Sequence, residues 1–285
     1  GMLRVAPGAS IANSAAVAIS NGGMLGLSAA NALSANAAVS LTGAGSQLGI
    51  SANQQIGSLT GTAGTNIVFD DGLTLTTGTS NTSSAFAGNI GSDGKGNLVK
   101  IGSGGLALTG INGYTGTTSV QSGSLIVNGS IAASSLTTVE AGAALGGGGR
   151  VGATTVKDGG TLAAGAPVGT LHIDGNLTLE QGSQIAYEAG APGVDYATPG
   201  TSDSLAVAGN LTLDGARLNI TDAGGFGAGL YRIFDYTGSL TLSNGGLSIA
   251  QAPAGAPLNI QYLNGSKQVN LINVGNQTLG FWNAN

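Results

Sequence analysis

The chain has 285 residues, of which 53 are glycine and only 7% are charged, with a net charge of −5. Disorder would require low hydrophobicity and high net charge, yet 41% of the residues are hydrophobic, so a core can form. A collagen-like chain is excluded, because the glycines keep no period of three and there are only 6 prolines.

Solvation therefore falls to Asn, Ser, Thr, Gln and the glycine backbone, which suits many short strands joined by tight turns. There is no cysteine. Small secreted domains need disulfides, whereas a repeat array has a continuous core and does not; their absence also suits export in the unfolded state. No apolar run approaches the roughly 18 residues of a membrane helix. No basic segment precedes an apolar one at the start, so a signal peptide is not expected here, and the chain reads as a piece of something longer.

Taken in order, alternating apolar runs fall at residues 17–19, 25–27, 39–41, 48–50, 67–69, 73–75 and 98–101. More follow at 106–108, 118–120, 125–127, 136–139, 151–156, 171–173 and 177–179. Turn chemistry separates them: NGG, GAG, GTAG, DDG, GSDGKG, GGGG and DGG. Period-two alternation between turn signals predicts half-buried strands. The three runs inside residues 101–129 are expected to make one lap of a coil. Residues 29–38, AANALSANAA, compete as a helix on alanine propensity but lack an apolar stripe, so they are predicted to be turn and strand edge.

Leu25 to Leu48 is 23 residues and Leu48 to Leu73 is 25, a repeat too short for a propeller blade. The expected fold is all-β: a parallel β-helix with three strands per rung of about 20–25 residues. Roughly a dozen rungs at about 4.8 Å each would give a rod about 60 Å long. Two sections are expected, 1–165 and 166–285. The second holds a Pro/Gly-rich excursion at 189–204, containing Pro192 and Pro199, predicted to project as a loop. It also carries most of the aromatic residues, so a compact cap is expected there, closing an otherwise unpaired rung.

Residues 102–129, GSGGLALTGINGYTGTTSVQSGSLIVNG, resemble the passenger-associated strand repeat of bacterial autotransporters. Pattern positions are filled by Leu106, Leu108, Gly110, Asn112, Tyr114, Gly116, Thr118, Val120, Gly123, Leu125, Val127, Asn128 and Gly129. Residues 53–61, NQQIGSLTG, are similar to lead-in rungs of such passengers. The phrases SDSLAVAGNLTLDGARLNI and GLYRIFDYTGSL are similar to the autochaperone region of pertactin-like and AIDA-like passengers. The resemblance implies a right-handed parallel β-helix, exported by type V secretion and displayed at the bacterial cell surface. It also implies an outer-membrane β-barrel translocator, which the chain is not expected to contain. Residues 277–283 read as the opening of a further repeat. Implied partners are a host-cell surface, extracellular matrix or other bacterial cells.

Chemistry is sparse. His172 is the only histidine and sits in TLHID, expected to face outward from its strand; no GxSxG elbow accompanies it. One histidine without cysteine makes a zinc site improbable. Some β-helix enzymes act on polysaccharides with acids set about 5–10 Å apart, which successive rungs could supply. The candidates are Asp70, Asp71, Asp158, Asp174, Glu180, Asp195, Asp203 and Asp214, but Asp71, Asp158, Asp174 and Asp214 each precede a glycine, where an aspartate accepts turn hydrogen bonds. Residues 222–227, DAGGFG, carry glycines of a calcium repeat without its spaced aspartates and read as a turn. Gly146 to Gly149 precede Arg150, not the Lys of a phosphate loop. An isoelectric point near 4.5 argues against nucleic acid. No catalytic, metal or cofactor residue is assigned, and no cofactor is expected. A non-enzymatic scaffold and adhesin is the leading expectation; a carbohydrate-active β-helix enzyme or a pure stalk are the alternatives.

Overall fold

The computed structural model describes residues 1–165, 168–254 and 257–275. Within them the chain is a parallel β-helix with no helical segment. It visits three stacked columns of parallel strands in a fixed cycle, here called faces 1, 2 and 3.

Face 1 starts with Met2–Val5, Met24–Leu27, Gln47–Ile50, Asn66–Phe69 and Asn89–Ile90. After one interrupted rung it resumes with Ser130–Ile131, Arg150–Val151, Thr170–Ile173, Ser204–Val207 and Gly229–Tyr236. Face 2 runs from Gln54–Ile56 through Thr74–Thr77, Asn97–Lys100, Thr117–Val120, Leu136–Val139, Thr154–Val156 and Leu177–Leu179. Face 3 climbs from Ala16–Ser20 by way of Ala38–Thr42, Ser58–Gly61, Ser84–Phe86, Gly105–Leu108, Gly123–Val127, Ala143–Gly146, Thr161–Ala163 and Gln184–Ala189. In the last two rungs the corner between faces 2 and 3 opens, and single strands, Leu211–Asp222 and Leu240–Gln251, serve both.

Alternation produces this arrangement. Every second side chain points in, and inward positions of successive rungs lie in register: Leu25 over Leu48 over Ile67 on face 1, Leu106 over Leu125 over Leu145 on face 3. These side chains are almost completely buried. Each contributes about 2–3 kcal/mol relative to an exposed position. Up to the arm the rung length varies from 17 residues (Leu145 to Leu162) to 25 (Gly61 to Phe86), close to the expected repeat; it rises to 34 where the arm is inserted (Leu177 to Leu211) and is 29 in the next rung (Leu211 to Leu240).

Corners decide how short a rung can be. Gly110 and Gly129 stack at one of them; a Cβ on either would lie 2.1 or 2.0 Å from the carbonyl oxygen of the glycine in the rung before it, Gly88 or Gly110. Only glycine lets the backbones approach so closely. Residues 29–38 form turns and a short bridge, as their Asn content predicts, with Asn31 at φ 48°.

The stretch 101–129 does not make one lap from its three apolar runs. Leu106 and Leu125 are in register on the same face, so the first and third runs belong to successive rungs. The missing side is the corner at Ile111–Asn112, where side chains replace the strand. Asn112 Oδ1 accepts from the Ile90 N–H at 3.0 Å, and its Nδ2 donates to the Gly110 and Ser130 carbonyls at 3.1 Å each. Val151 and Val156 likewise belong to two strands, divided at Gly152.

Several polar residues inside the rod are paired, although Thr137 Oγ1 and Ser183 Oγ are buried without a partner among the described residues. Tyr114 is buried; its hydroxyl lies 2.7 Å from Thr118 Oγ1, which is 3.0 Å from Ser134 Oγ. Burial raises the Tyr114 pKa, so it stays neutral. Lys100 is 2% exposed and donates to the carbonyls of Ile101, Gly102 and Ser122. Desolvation lowers its pKa.

The parallel register continues past Gly165 up to Gln251. Beyond it, Leu258–Leu263 and Gln268–Asn273 form an antiparallel hairpin, added antiparallel to Gly229–Tyr236 at the end of face 1. Val269 and Leu271 are buried, and Tyr262 OH accepts the Leu247 N–H at 2.9 Å. The hairpin extends face 1 and reaches Leu247 of the last rung, whose Leu242 stays 46% exposed. Residues 277–283 lie outside the described residues.

Candidate functional site near the cap

The excursion after Ala189 leaves the rod as an arm and returns at Ser204. Its two limbs are joined at the base: Gly190 N donates to Ser202 Oγ and Ala191 N to Thr201 Oγ1, each at 3.0 Å. Asp203 sits at the foot, 2% exposed, accepting N–H groups of Gly169 and Glu188 at 3.0 and 2.9 Å. Burial pushes its carboxyl up to about 6, against the pull of those two donors.

The arm is not a free loop. Gly193 N donates to the Leu230 carbonyl at 2.8 Å, and the Tyr196 carbonyl accepts from Arg232 Nη2 at 2.5 Å and Gln268 Nε2 at 3.3 Å. Arg232, with a side chain 6% exposed, also donates to Asn270 Oδ1 at 2.9 Å and Asp235 Oδ1 at 2.5 Å. Gln261 Nε2 donates to the Tyr196 hydroxyl at 3.2 Å. One buried guanidinium thus ties arm, last rung and cap hairpin together, its planar fork meeting three acceptors. The excursion does not simply project as its Pro/Gly content predicts; its tip is pinned because Arg232 and its polar neighbours need partners once buried. Val194, 85% exposed, and Tyr196, 47% exposed, remain outward at that tip.

His172 faces outward beside this region, as expected, and its ring has no hydrogen-bond partner among the described residues. Its neighbours on face 1 form a charged row: Arg150 donates to both carboxylate oxygens of Asp174, at 2.7 and 2.5 Å.

The remaining acids serve turns or single ion pairs. Asp71 meets Lys95 at 3.1 Å, Glu180 meets Lys157 at 2.7 Å, and Asp195 accepts the Ala197 and Thr198 N–H groups. Asp214 accepts from Ser243 and Asn244, and Asp222 from Gly224 and Phe226, the turn read for DAGGFG. Asp158 stands in a turn, and Asp70 directly precedes the turn at Asp71–Gly72. Arg150 follows a glycine corner with no helix, so the GGGG run makes no phosphate cradle. No three carboxylate or histidine side chains among the described residues converge on a metal-sized point. Sequence reasoning missed Arg232; the signal was a lone basic residue inside the apolar run LYRIF.

Three-column parallel stacking, glycine corners and the asparagine-filled side at 111–112 define a parallel β-solenoid. The passenger-associated-transport-repeat family matches residues 98–127, beginning at the face 2 strand that precedes Gly102. The chain is also 41% identical over 199 residues to the adhesin BmaC autotransporter of Brucella suis biovar 1 (strain 1330), a match spanning 67% of this chain and 6% of that protein. Repeat and relative together support an autotransporter passenger domain, and the chain spans only that small part of the relative's length.

Proposed function

We propose that this segment is a non-enzymatic scaffold of a surface-displayed adhesin, exported across the outer membrane, and that its adhesive surface is the arm-bearing end of face 1. The partners implied are a host-cell surface, extracellular matrix or other bacterial cells. The observation that carries this reading is the braced arm: a Pro/Gly-rich excursion held rigid by Arg232 and Gln268 while presenting Val194 and Tyr196 outward. A preorganised apolar tip binds without the ordering cost of a mobile loop. The name of the Brucella relative, an adhesin, agrees with it.

The test is adhesion of bacteria displaying the chain to epithelial cells and to immobilised matrix. Replacing Val194 and Tyr196 together by Ser keeps the backbone contacts that pin the arm. Adhesion should fall at least several-fold with unchanged surface display. Undiminished adhesion would make the segment a stalk.

A further inference from the structure

Face 1 carries a trench just below the cap. His172, Ala206 and Asp235 lie in register on three successive rungs, all pointing outward. One step further along the same strands, Asp174, Ala208 and Thr237 follow the same order, with the Ala208 N–H on the Ile173 carbonyl and the Thr237 N–H on the Val207 carbonyl. The middle rung therefore presents two methyl groups between two polar rungs. The resulting depression has a volume of about 180 Å³ and is lined by these six residues together with Arg150 and the backbone beneath.

Its dimensions follow from sheet geometry. Polar walls two rungs apart stand about 10 Å from each other, and the two polar groups on one wall are about 7 Å apart. The walls are fixed in advance: Arg150 grips both oxygens of Asp174, and Arg232 holds Asp235. The His172 ring stays unengaged among the described residues. A flat apolar floor framed by hydrogen-bonding groups of both signs matches a ring with one C–H face and equatorial hydroxyls. It matches neither a metal ion, for which no three ligands converge, nor an anion, since two of the four rim groups are carboxylates.

We infer that this trench is a carbohydrate-binding site taking one pyranose unit, with the sugar's apolar face on Ala206 and Ala208. Its hydroxyls bond His172 and Asp174 on one side, Asp235 and Thr237 on the other. The inference rests on the adhesin reading and supplies its ligand class. One shallow subsite binds weakly, so firm attachment arises from many displayed copies.

Saturation-transfer NMR on the purified chain tests it, with the methyl glycosides of glucose, galactose, mannose and N-acetylglucosamine as probes. At least one glycoside should receive saturation at its ring C–H protons. That transfer should vanish in Ala206→Phe and in Ala208→Phe, which fill the floor from the outward face and leave the core untouched; unchanged circular dichroism verifies folding. No transfer to any of the four glycosides overturns the site, as does transfer that survives both filling variants. The measurement uses no cells, so loss of the adhesion reading in the arm experiment would leave its outcome standing.

Discussion

Leu211 and Leu25 both point into the core, toward opposite ends of the rod, yet truncating them should have unequal consequences. Leu211 is fully buried and lies in register between Leu177 and Leu240, so both neighbouring rungs depend on it. Removing its side chain to Ala leaves a cavity the stack cannot close, at a cost of about 2–5 kcal/mol. Leu25 is 4% exposed but pairs with Leu3, which is 63% exposed, in the first rung. Stability in such an array is a sum of rung and nearest-neighbour terms. The first rung can therefore peel away, and the penalty at Leu25 is capped by the small free energy of that opening, on the order of 1 kcal/mol for a fraying terminus. Urea unfolding followed by circular dichroism should show the larger loss for Leu211→Ala. Hydrogen exchange should confine the effect of Leu25→Ala to roughly the first fifty residues. Substitution of Leu211 or Ile233 by Asp adds an unpaired buried carboxylate, worth several kcal/mol more, and should abolish folding of the whole rod. Equal loss of stability at both ends, or exchange protection lost only locally in Leu211→Ala, would refute the reasoning.

Asp203 should give the chain an acid-side stability gradient. Its folded pKa is raised to about 6, above its unfolded value, so the native state holds the extra proton. The resulting stabilisation is complete below about pH 4 and is lost as pH rises through 6, an amplitude of about 2–3 kcal/mol at most. Comparing urea midpoints from pH 4 to 7, Asp203→Asn should show a shallower slope than the parent; parallel slopes would contradict the assignment. Asn112→Ala strips three hydrogen bonds from the corner that stands in for a strand, leaving the buried Ile90 N–H unpaired. A loss of about 1–3 kcal/mol is expected, with Asn112→Asp recovering only the bond to Ile90; a change below about 0.5 kcal/mol would mean water fills the corner without penalty.

Much of the fold was legible because its two determinants are local. Alternation picks the inward face of each strand, and Gly, Asn or Asp marks each corner; runs such as 106–108 and 171–173 fall inside strands as read. The errors share a cause. At Ile111–Asn112 and at Gly152 the chain turns a corner using side-chain hydrogen bonds or a single glycine. Counting apolar runs then assigns the wrong number of sides to a lap. Strands as short as Asn89–Ile90 and Ser130–Ile131 are likewise held by their neighbours in the stack and have no pattern of their own.

The outward surface obeys a different logic. Inward residues are fixed by packing against adjacent rungs, so their type reports their place; outward residues meet across rungs, and which ones meet depends on the length of every intervening corner. His172 reaches Ala206 because 34 residues separate them, an interval enlarged by the arm, and Ala206 reaches Asp235 after only 29. Shifting one strand by a single residue would turn Leu171 outward and His172 into the core. The trench is thus a property of register alone. The same holds for Arg232, whose acceptors on Tyr196 and Asn270 lie 36 and 38 residues away in opposite directions along the chain. A solenoid announces its scaffold in each repeat and assembles its binding surfaces between them.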